Sequence, residues 1–365
     1  MLAVLTGGGT AGHINPALAL AETLEERGVD VRFAGTPNGR EADLVPAAGI
    51  PFKAFEASGF NRNHPLSIFK AVWLMEKGTR AATRWFEEVK PDVVVGFGGY
   101  VSLAIGRAAE KHGIPVVVHE QNSVMGMANK NLAKRAEVVC LTYAHASSAV
   151  ADQSKVIVTG NPVRKQVFEA TREEGRAAFG VPDEARLLLV TGGSLGARHL
   201  NQAVCAMKDE LLGVDDLYVI HVTGPKELDS VNEVLALTQG EAQRWKVFGY
   251  TNEMGRAMAA ADAIVSRAGA SSLAEISARA LPALLVPFPY ATEDHQTTNA
   301  KAAVEAGCAK MIADADVEGP EFRALLMQLV EDADLRASMR EAARAQKTAD
   351  AAAALADIVI DTARG

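Results

Sequence analysis

The 365-residue chain is poor in cysteine. Its three cysteines, Cys140, Cys205 and Cys308, stand far apart, with no Cys-x-x-Cys pair and no Cys/His cluster at zinc spacing. That argues against a structural zinc site or a redox motif, and thiols without a disulfide framework fit a reducing cytosol. Long apolar runs are also missing. A membrane-spanning helix needs about 18 uninterrupted apolar residues, and the longest stretch here, Ala280 to Pro289, is cut by Pro282 and Pro287. The opening residues Met1 to Gly7 carry neither the basic region nor the apolar length of a signal peptide. Positive charge is not in excess: the net charge is −8, which weakens general nucleic-acid binding. No segment matches the phosphate-binding pattern GxxxxGK[ST], so ATP hydrolysis has no support.

What is present is a soluble globular balance, 48% hydrophobic and 22% charged. At about 150 residues per domain the length predicts two domains. Short apolar runs alternate with glycine turns and helical stretches. Leu2–Thr6 leads into Gly7-Gly8-Gly9-Thr10-Ala11-Gly12, a helix from Pro16 to Arg27 and a strand over Val29–Phe33. Arg186–Thr191 leads into Gly192-Gly193-Ser194-Leu195-Gly196 and a helix from about Arg198. A second pair echoes the first: 92–96 with Gly98-Gly99-Tyr100, and 262–266 with Gly269-Ala270-Ser271, each followed by a helix, an Ile/Leu-Pro and a strand. Apolar runs of this length are buried parallel strands, and alternation of strand and helix gives α/β domains with helices on both faces of the sheet. The expected architecture is two Rossmann-like, doubly wound parallel-sheet domains facing a cleft. The turn signals at Gly160-Asn161-Pro162 place the boundary there: residues 1–162 and 163–341, with a C-terminal helix over about 342–365 that can pack back on the first domain.

Four glycine turns between strand and helix offer free N–H groups to phosphates. The first formally satisfies GxGxxG, which raises a nicotinamide oxidoreductase as an alternative. That reading wants an acid at the end of the second strand, where this chain has Phe33-Ala34-Gly35-Thr36, with Asp30 before it and Glu41 beyond. His13 follows the first turn and is a candidate for a catalytic or oxyanion role. His119-Glu120-Gln121-Asn122 ends a strand with four polar residues, either ligand contacts at the crevice or ordinary strand-end solvation. Glu275 is either a ribose acceptor or the N3 half of a capping box with Ser272 as N-cap. His295 has no second histidine at helical spacing. Asp314-Ala315-Asp316 and Asp332-Ala333-Asp334 mimic DxD but lie outside the glycine-turn framework and read as solvated surface.

The ordered set Gly8-Gly9-Thr10-Ala11-Gly12-His13, Gly98-Gly99-Tyr100-Val101-Ser102, His119-Glu120-Gln121-Asn122, Gly160-Asn161-Pro162-Val163-Arg164, Gly192-Gly193-Ser194 and 270–275 followed by Asp294-His295-Gln296 resembles the bacterial peptidoglycan glycosyltransferases that add N-acetylglucosamine to lipid I. The resemblance runs from residue 6 to about residue 300. Ala11 stands where that family usually has glycine, Leu195 where glutamine is common, and Ser271-Ser272 is a local variant. It implies a GT-B fold, UDP-N-acetylglucosamine as donor, the undecaprenyl-diphosphate-linked acceptor lipid I, and lipid II and UDP as products. No metal or cofactor is required if helix dipoles and Arg164 neutralise the diphosphate. The implied donor contacts are Gly9, Thr10, Ala11, Asn122, Arg164, Ser194, Thr251, Ala270, Ser271, Ser272, Leu273, Glu275 and Gln296. His13 is the expected base or acceptor contact, and Gly98, Gly99 and Tyr100 are expected near the acceptor diphosphate.

A polyprenyl acceptor lives in a bilayer. Between Phe60 and Arg84 the chain carries five Lys or Arg against Glu76, interleaved with Leu66, Ile68, Phe69, Val72, Trp73, Leu74 and Met75. Such a segment either docks on anionic lipid, through Phe69 and Trp73, or turns its apolar side into the core. Docking implies a peripheral enzyme on the cytoplasmic face of the plasma membrane, with other cell-wall synthesis proteins as partners and no nucleic acid. The competing classes are a soluble GT-B enzyme, such as a UDP-sugar epimerase or another glycosyltransferase, and a non-catalytic nucleotide-sugar binding module.

Overall fold

The structure, a computed structural model, describes residues 1–59, 67–193, 196–291, 294–345 and 350–365, with the backbone alone at 67 and 68. The chain divides into two compact units. One holds Met1–Arg164 and the C-terminal helix Ala351–Arg364; the other runs from Lys165 through the helix Ala333–Ala345.

In the first unit the described strands are β1 (Leu2–Thr6), β2 (Asp30–Gly35), β3 (Phe52–Ala54), β4 (Val93–Gly96), β5 (Val116–Glu120), β6 (Val138–Leu141) and β7 (Val156–Val158). They form one parallel sheet in the order β3-β2-β1-β4-β5-β6-β7, with Leu5 opposite Phe33 on one side and Val95 on the other. In the second unit β8 (Arg186–Thr191), β9 (Leu217–Val222), β10 (Trp245–Phe248), β11 (Ala263–Ser266), β12 (Ala283–Leu285) and β13 (Ala309–Met311) form a parallel sheet in the order β10-β9-β8-β11-β12-β13. Successive side chains on a strand face opposite ways. Leu5, Val93 and Val95 therefore enter one core with Ile14 and Leu18, while Val4 and Val94 enter the other with Phe86 and Ile105. The second unit repeats the device: Leu188 and Val190 pack on one face, Leu187 and Leu189 on the other.

The C-terminal helix is integral to the first unit. Asp350 caps it by accepting from the N–H groups of Ala352 and Ala353, and Leu355, Ala356 and Val359 are fully buried with the β1 core. Burying Leu355 and Val359 stabilises by about 1.5–3 kcal/mol each. The Arg27–Asp357 ion pair across the same contact, largely exposed at Asp357, adds at most about 1 kcal/mol. Burial holds this helix.

Two sequence expectations shift. The first helix begins at Ala11, not Pro16, and keeps Pro16 inside it, because Thr10 is the last extended residue of the glycine turn. His13 thereby sits in the helix's first turn. The strand after it is Asp30–Gly35, two residues longer at its end than the pattern predicts.

Candidate active site

Open parallel sheets bind ligands beyond the carboxyl ends of their strands, where the strand order reverses. In the first unit that point lies between β1 and β4. The turn after β1 runs Gly7 to Thr10, and the turn after β4 crosses it closely: a Cβ on Gly99 would lie 2.7 Å from the Gly8 carbonyl oxygen, and one on Gly98 would lie 3.1 Å from His13 Nε2. Both glycines also hold positive φ, 110° and 83°, so a side chain at either is strained as well as crowded.

His13 Nδ1 lies 2.8 Å from the Gly8 carbonyl oxygen. A carbonyl only accepts, so Nδ1 carries the proton and Nε2 keeps the lone pair. The Thr10 hydroxyl, 3.5 Å from Nδ1, is too distant to compete. Below this turn sits Glu41, which is fully buried. Its carboxylate accepts from Gly9 N–H at 3.1 Å, and from Thr36 N–H and hydroxyl at 3.0 and 2.6 Å. It faces the protein interior and not a ribose, which removes the acid a nicotinamide reading would need there.

The polar end of β5 is buried, not solvated. Glu120 accepts from the backbone and side-chain N–H groups of Asn122 and from Gly126 and Asn129, at 2.9–3.2 Å, which fixes the loop that follows. His119 donates from Nε2 to the Gly160 carbonyl at 2.9 Å and accepts at Nδ1 from Gln121 at 3.1 Å. Burial lowers its pKa to about 4, against the opposing Gly160 bond and the Glu120 charge, so the ring is neutral. Asn122 stays partly exposed. Arg164 lies on Glu22, its Nε and Nη2 2.8 and 2.7 Å from one carboxylate oxygen. Tyr100 opens the helix Tyr100–His112 and is partly exposed.

In the second unit the order reverses between β8 and β11. Gly196, at φ 80°, packs so closely that a Cβ there would lie 2.2 Å from the Thr223 carbonyl oxygen. Ser194 and Leu195 lie outside the described residues. After β11 the helix Ala270–Ala278 starts at Gly269 as N-cap. The capping box expected from Ser272 and Glu275 is therefore absent: both residues are inside the helix, because glycine already turns the chain three residues earlier. Ser271 and Glu275 are one turn apart on one side of it. Ala270 and Leu273 are buried, so Leu273 has its side chain in the core. The Gln296 side-chain oxygen accepts from Ala268 N–H at 3.2 Å and Phe288 N–H at 3.0 Å, tying the ends of β11 and β12 together. The Thr251 hydroxyl accepts from Glu253 N–H at 3.0 Å before the helix Met254–Ala260.

Asp314 corrects the expectation of solvated surface. It is mostly buried and lies 2.5 Å from the Arg267 guanidinium and 2.9 Å from His199 Nδ1. Burial alone would raise its carboxyl, but the His199 and Arg267 hydrogen bonds and charges hold it below the usual value. The same bond raises the His199 pKa, against burial. Arg267 also donates to the carbonyls of Val286 and Pro287. Sequence reading missed this trio; its one signal was an arginine directly after a buried strand.

The segment from Ser67 to Val89 is a single helix. Phe69, Val72 and Trp73 are 73%, 63% and 60% exposed, while Ala82, Trp85 and Phe86 are buried. Lys77 lies 5.4 Å over the Trp73 ring. The first turns thus show apolar side chains outward and the last turns bury theirs: the core reading holds for the end of the helix, and its start leaves Phe69, Val72 and Trp73 exposed. Residues 60–66, including Arg62 and Leu66, lie outside the described residues, and no described helix is long and apolar enough to cross a membrane.

Residues 3–141 match the glycosyltransferase family 28 N-terminal domain and residues 187–355 the glycosyltransferase family 28 C-terminal domain. The chain belongs to glycosyltransferase family 28. Similar proteins include the UDP-N-acetylglucosamine–N-acetylmuramyl-(pentapeptide) pyrophosphoryl-undecaprenol N-acetylglucosamine transferase of Leuconostoc mesenteroides subsp. mesenteroides, 39% identical over 99% of both chains. The protein of the same name from Desulfitobacterium hafniense (strain DSM 10664 / DCB-2) is 38% identical over 100% of both. Among solved structures, Acinetobacter baumannii MurG is 29% identical over 99% of both chains, with a TM-score of 0.75. CalG4, the calicheamicin glycosyltransferase, is 17% identical over 99% of this chain and 98% of that one, with a TM-score of 0.68, and shares the fold. Two parallel-sheet units are the units of a GT-B fold.

Proposed function

We propose that this family 28 chain is an inverting glycosyltransferase that moves N-acetylglucosamine from UDP-N-acetylglucosamine to undecaprenyl-diphosphate-N-acetylmuramoyl-pentapeptide (lipid I), giving lipid II and UDP. His13 carries the reading: its Nδ1 proton is committed to the Gly8 carbonyl, which leaves Nε2 as a base at the crevice of the first unit. The full-length likeness to relatives named for this transfer supplies the substrates.

In the proposed step the acceptor hydroxyl oxygen forms the bond to the anomeric carbon as the sugar–phosphate bond breaks. The hydroxyl proton passes to His13 Nε2, and UDP leaves with the bonding electrons. A positioned general base contributes on the order of 10²–10⁴-fold. The leaving diphosphate is assigned to the N-terminus of the helix Ala270–Ala278; the resemblance adds Arg164 and Ser194 as its contacts. Glu275 is assigned to the ribose, Thr251 to the uracil and Gln296 to the sugar; the resemblance adds Asn122, Gly9, Thr10 and Ala11 as donor contacts. Gly98, Gly99 and the start of the helix at Tyr100 receive the acceptor diphosphate. In this reading the charges are met by protein groups, so no metal or cofactor is required. Phe69, Val72 and Trp73 dock on an anionic bilayer, which makes the enzyme peripheral on the cytoplasmic face of the plasma membrane beside other cell-wall synthesis proteins.

The test is transfer of labelled N-acetylglucosamine to a short-chain lipid I analogue, with and without chelator. Labelled disaccharide product in chelator supports both the reaction and the metal-free step. Donor binding without transfer moves the acceptor assignment to a soluble substrate.

A further inference from the structure

Glu41 is a carboxylate for which the chain clears space at three glycines. A Cβ on Gly8 would lie 2.4 Å from its Oε1, one on Gly35 2.5 Å from its Cγ, and one on Gly39 2.3 Å from both oxygens. Burying a carboxylate costs several kcal/mol unless its lone pairs are met. Here they are met by Thr36 and by the N–H of Gly9. That N–H belongs to the peptide group whose carbonyl, at Gly8, takes the proton of His13 Nδ1. One peptide unit therefore links the two side chains in a line: carboxylate, N–H, C=O, imidazole N–H.

We propose that Glu41 is a positioning residue that acts on His13 through the Gly8–Gly9 peptide, as a carboxylate acts on a catalytic histidine in direct contact. Pulling on the Gly9 N–H polarises the peptide and strengthens its carbonyl as an acceptor. The stronger carbonyl fixes the Nδ1–H tautomer and leaves Nε2 free toward Gly98. This rests on the reading of His13 as the group that meets the acceptor. Glu41→Gln cannot satisfy both Gly9 N–H and the Thr36 pair, since one of its two acceptor atoms becomes an N–H₂ donor.

The experiment is a double-mutant cycle on the full chain, with His13→Ala and Glu41→Gln, measuring transfer to the lipid I analogue and KM for UDP-N-acetylglucosamine. Partners that orient metal-bound histidines are typically worth about 10–100-fold, and the same range is taken for a histidine oriented without a metal. Glu41→Gln is expected to lower kcat by about that factor, leave the donor KM unchanged, and add nothing in the His13→Ala background. Multiplying losses, or full activity in Glu41→Gln, overturn the relay. Full activity in His13→Ala overturns the base assignment itself, whatever Glu41 does. If Glu41→Gln fails to fold, Thr36→Val removes one bond to the carboxylate, and ¹⁵N spectra of the His13 ring read the tautomer. A shift from Nδ1–H toward Nε2–H, with a partial loss of kcat, supports the relay; an unchanged tautomer and rate overturn it.

Discussion

Acidification should loosen the first unit in a way that one histidine dominates. His119 is fully buried, with its pKa lowered from 6.5 to about 4. Adding a proton would place a second donor on Nδ1, against the Gln121 N–H₂ already donating to it. A depressed histidine favours folding fully above its unfolded value, and the benefit is lost as pH falls from that value toward the folded one. Between pH 6.5 and pH 5 the interval is 1.5 units, worth about 2 kcal/mol at about 1.4 kcal/mol per unit, and the loss levels off below pH 4 at about 3.5 kcal/mol. Against a typical stability of about 5–15 kcal/mol this is a large fraction. The assay is denaturant unfolding at pH 7, 6 and 5, read by Trp85 fluorescence in a chain whose Trp73 and Trp245 are phenylalanine. His119→Gln should flatten the pH slope even where it lowers stability at pH 7. An equal slope in that variant would refute the assignment. In the second unit His221, lowered to about 3, acts in the same direction. His199, raised by Asp314, opposes it, because its contribution is present below pH 6.5 and lost as pH rises through its folded value. The second unit should therefore lose less than His221 alone implies.

Gly98→Ala puts a methyl group 3.1 Å from His13 Nε2 at a φ of 110°. The strain is about 1–3 kcal/mol, and transfer should fall at least tenfold while the donor binding proposed for the second unit, followed by calorimetry, is kept. Phe69→Ser with Trp73→Ser removes exposed side chains, so the melting temperature should hold. Partition onto anionic vesicles should drop tenfold or more, at about 1.5–3 kcal/mol per aromatic buried in lipid; equal loss of donor binding would signal misfolding instead. Asp314→Ala strands the Arg267 guanidinium in a site where it is 9% exposed, and should cost about 3–5 kcal/mol in denaturant melts. A cost below about 1 kcal/mol would mean the guanidinium reaches water.

The sheets were legible because their strands are apolar on both faces: runs such as Val93-Val94-Val95 and Arg186–Thr191 fit little else. Helix starts were less so. Ser272 is a better N-cap by type than Gly269, and Pro16 a better helix opener than Ala11, yet the glycine turns end earlier and the backbone follows them. The first glycine turn was found by its pattern. The acid beneath it was not, since Glu41 meets Gly9 across 32 residues of sequence and through space that only glycines leave open. Asp314 was misread because its partners are distant in sequence: His199 comes from the helix Arg198–Cys205 and Arg267 from the end of β11.

The two units share one architecture but place their acids differently, and that difference bears on which ligand each takes. After its second strand the first unit has Glu41, which takes a glycine-turn N–H directly. A phosphate arriving at that turn finds one amide fewer, with the charge of the buried carboxylate behind it. After its second strand the other unit has Glu227, and there the carboxylate is paired with Arg198, the first residue of the helix following the glycine turn. Charge at that turn is balanced, and the helix Ala270–Ala278 adds a second N-terminus nearby. An anionic nucleotide diphosphate is therefore better met in the second unit, and a neutral hydroxyl needing a base in the first. Exchanging the acids' roles is a test by chemistry alone: Arg198→Met should weaken UDP binding by exposing Glu227 to the diphosphate, and Arg198→Met with Glu227→Gln should restore part of it. No recovery in the double variant would mean that Arg198 meets the ligand itself.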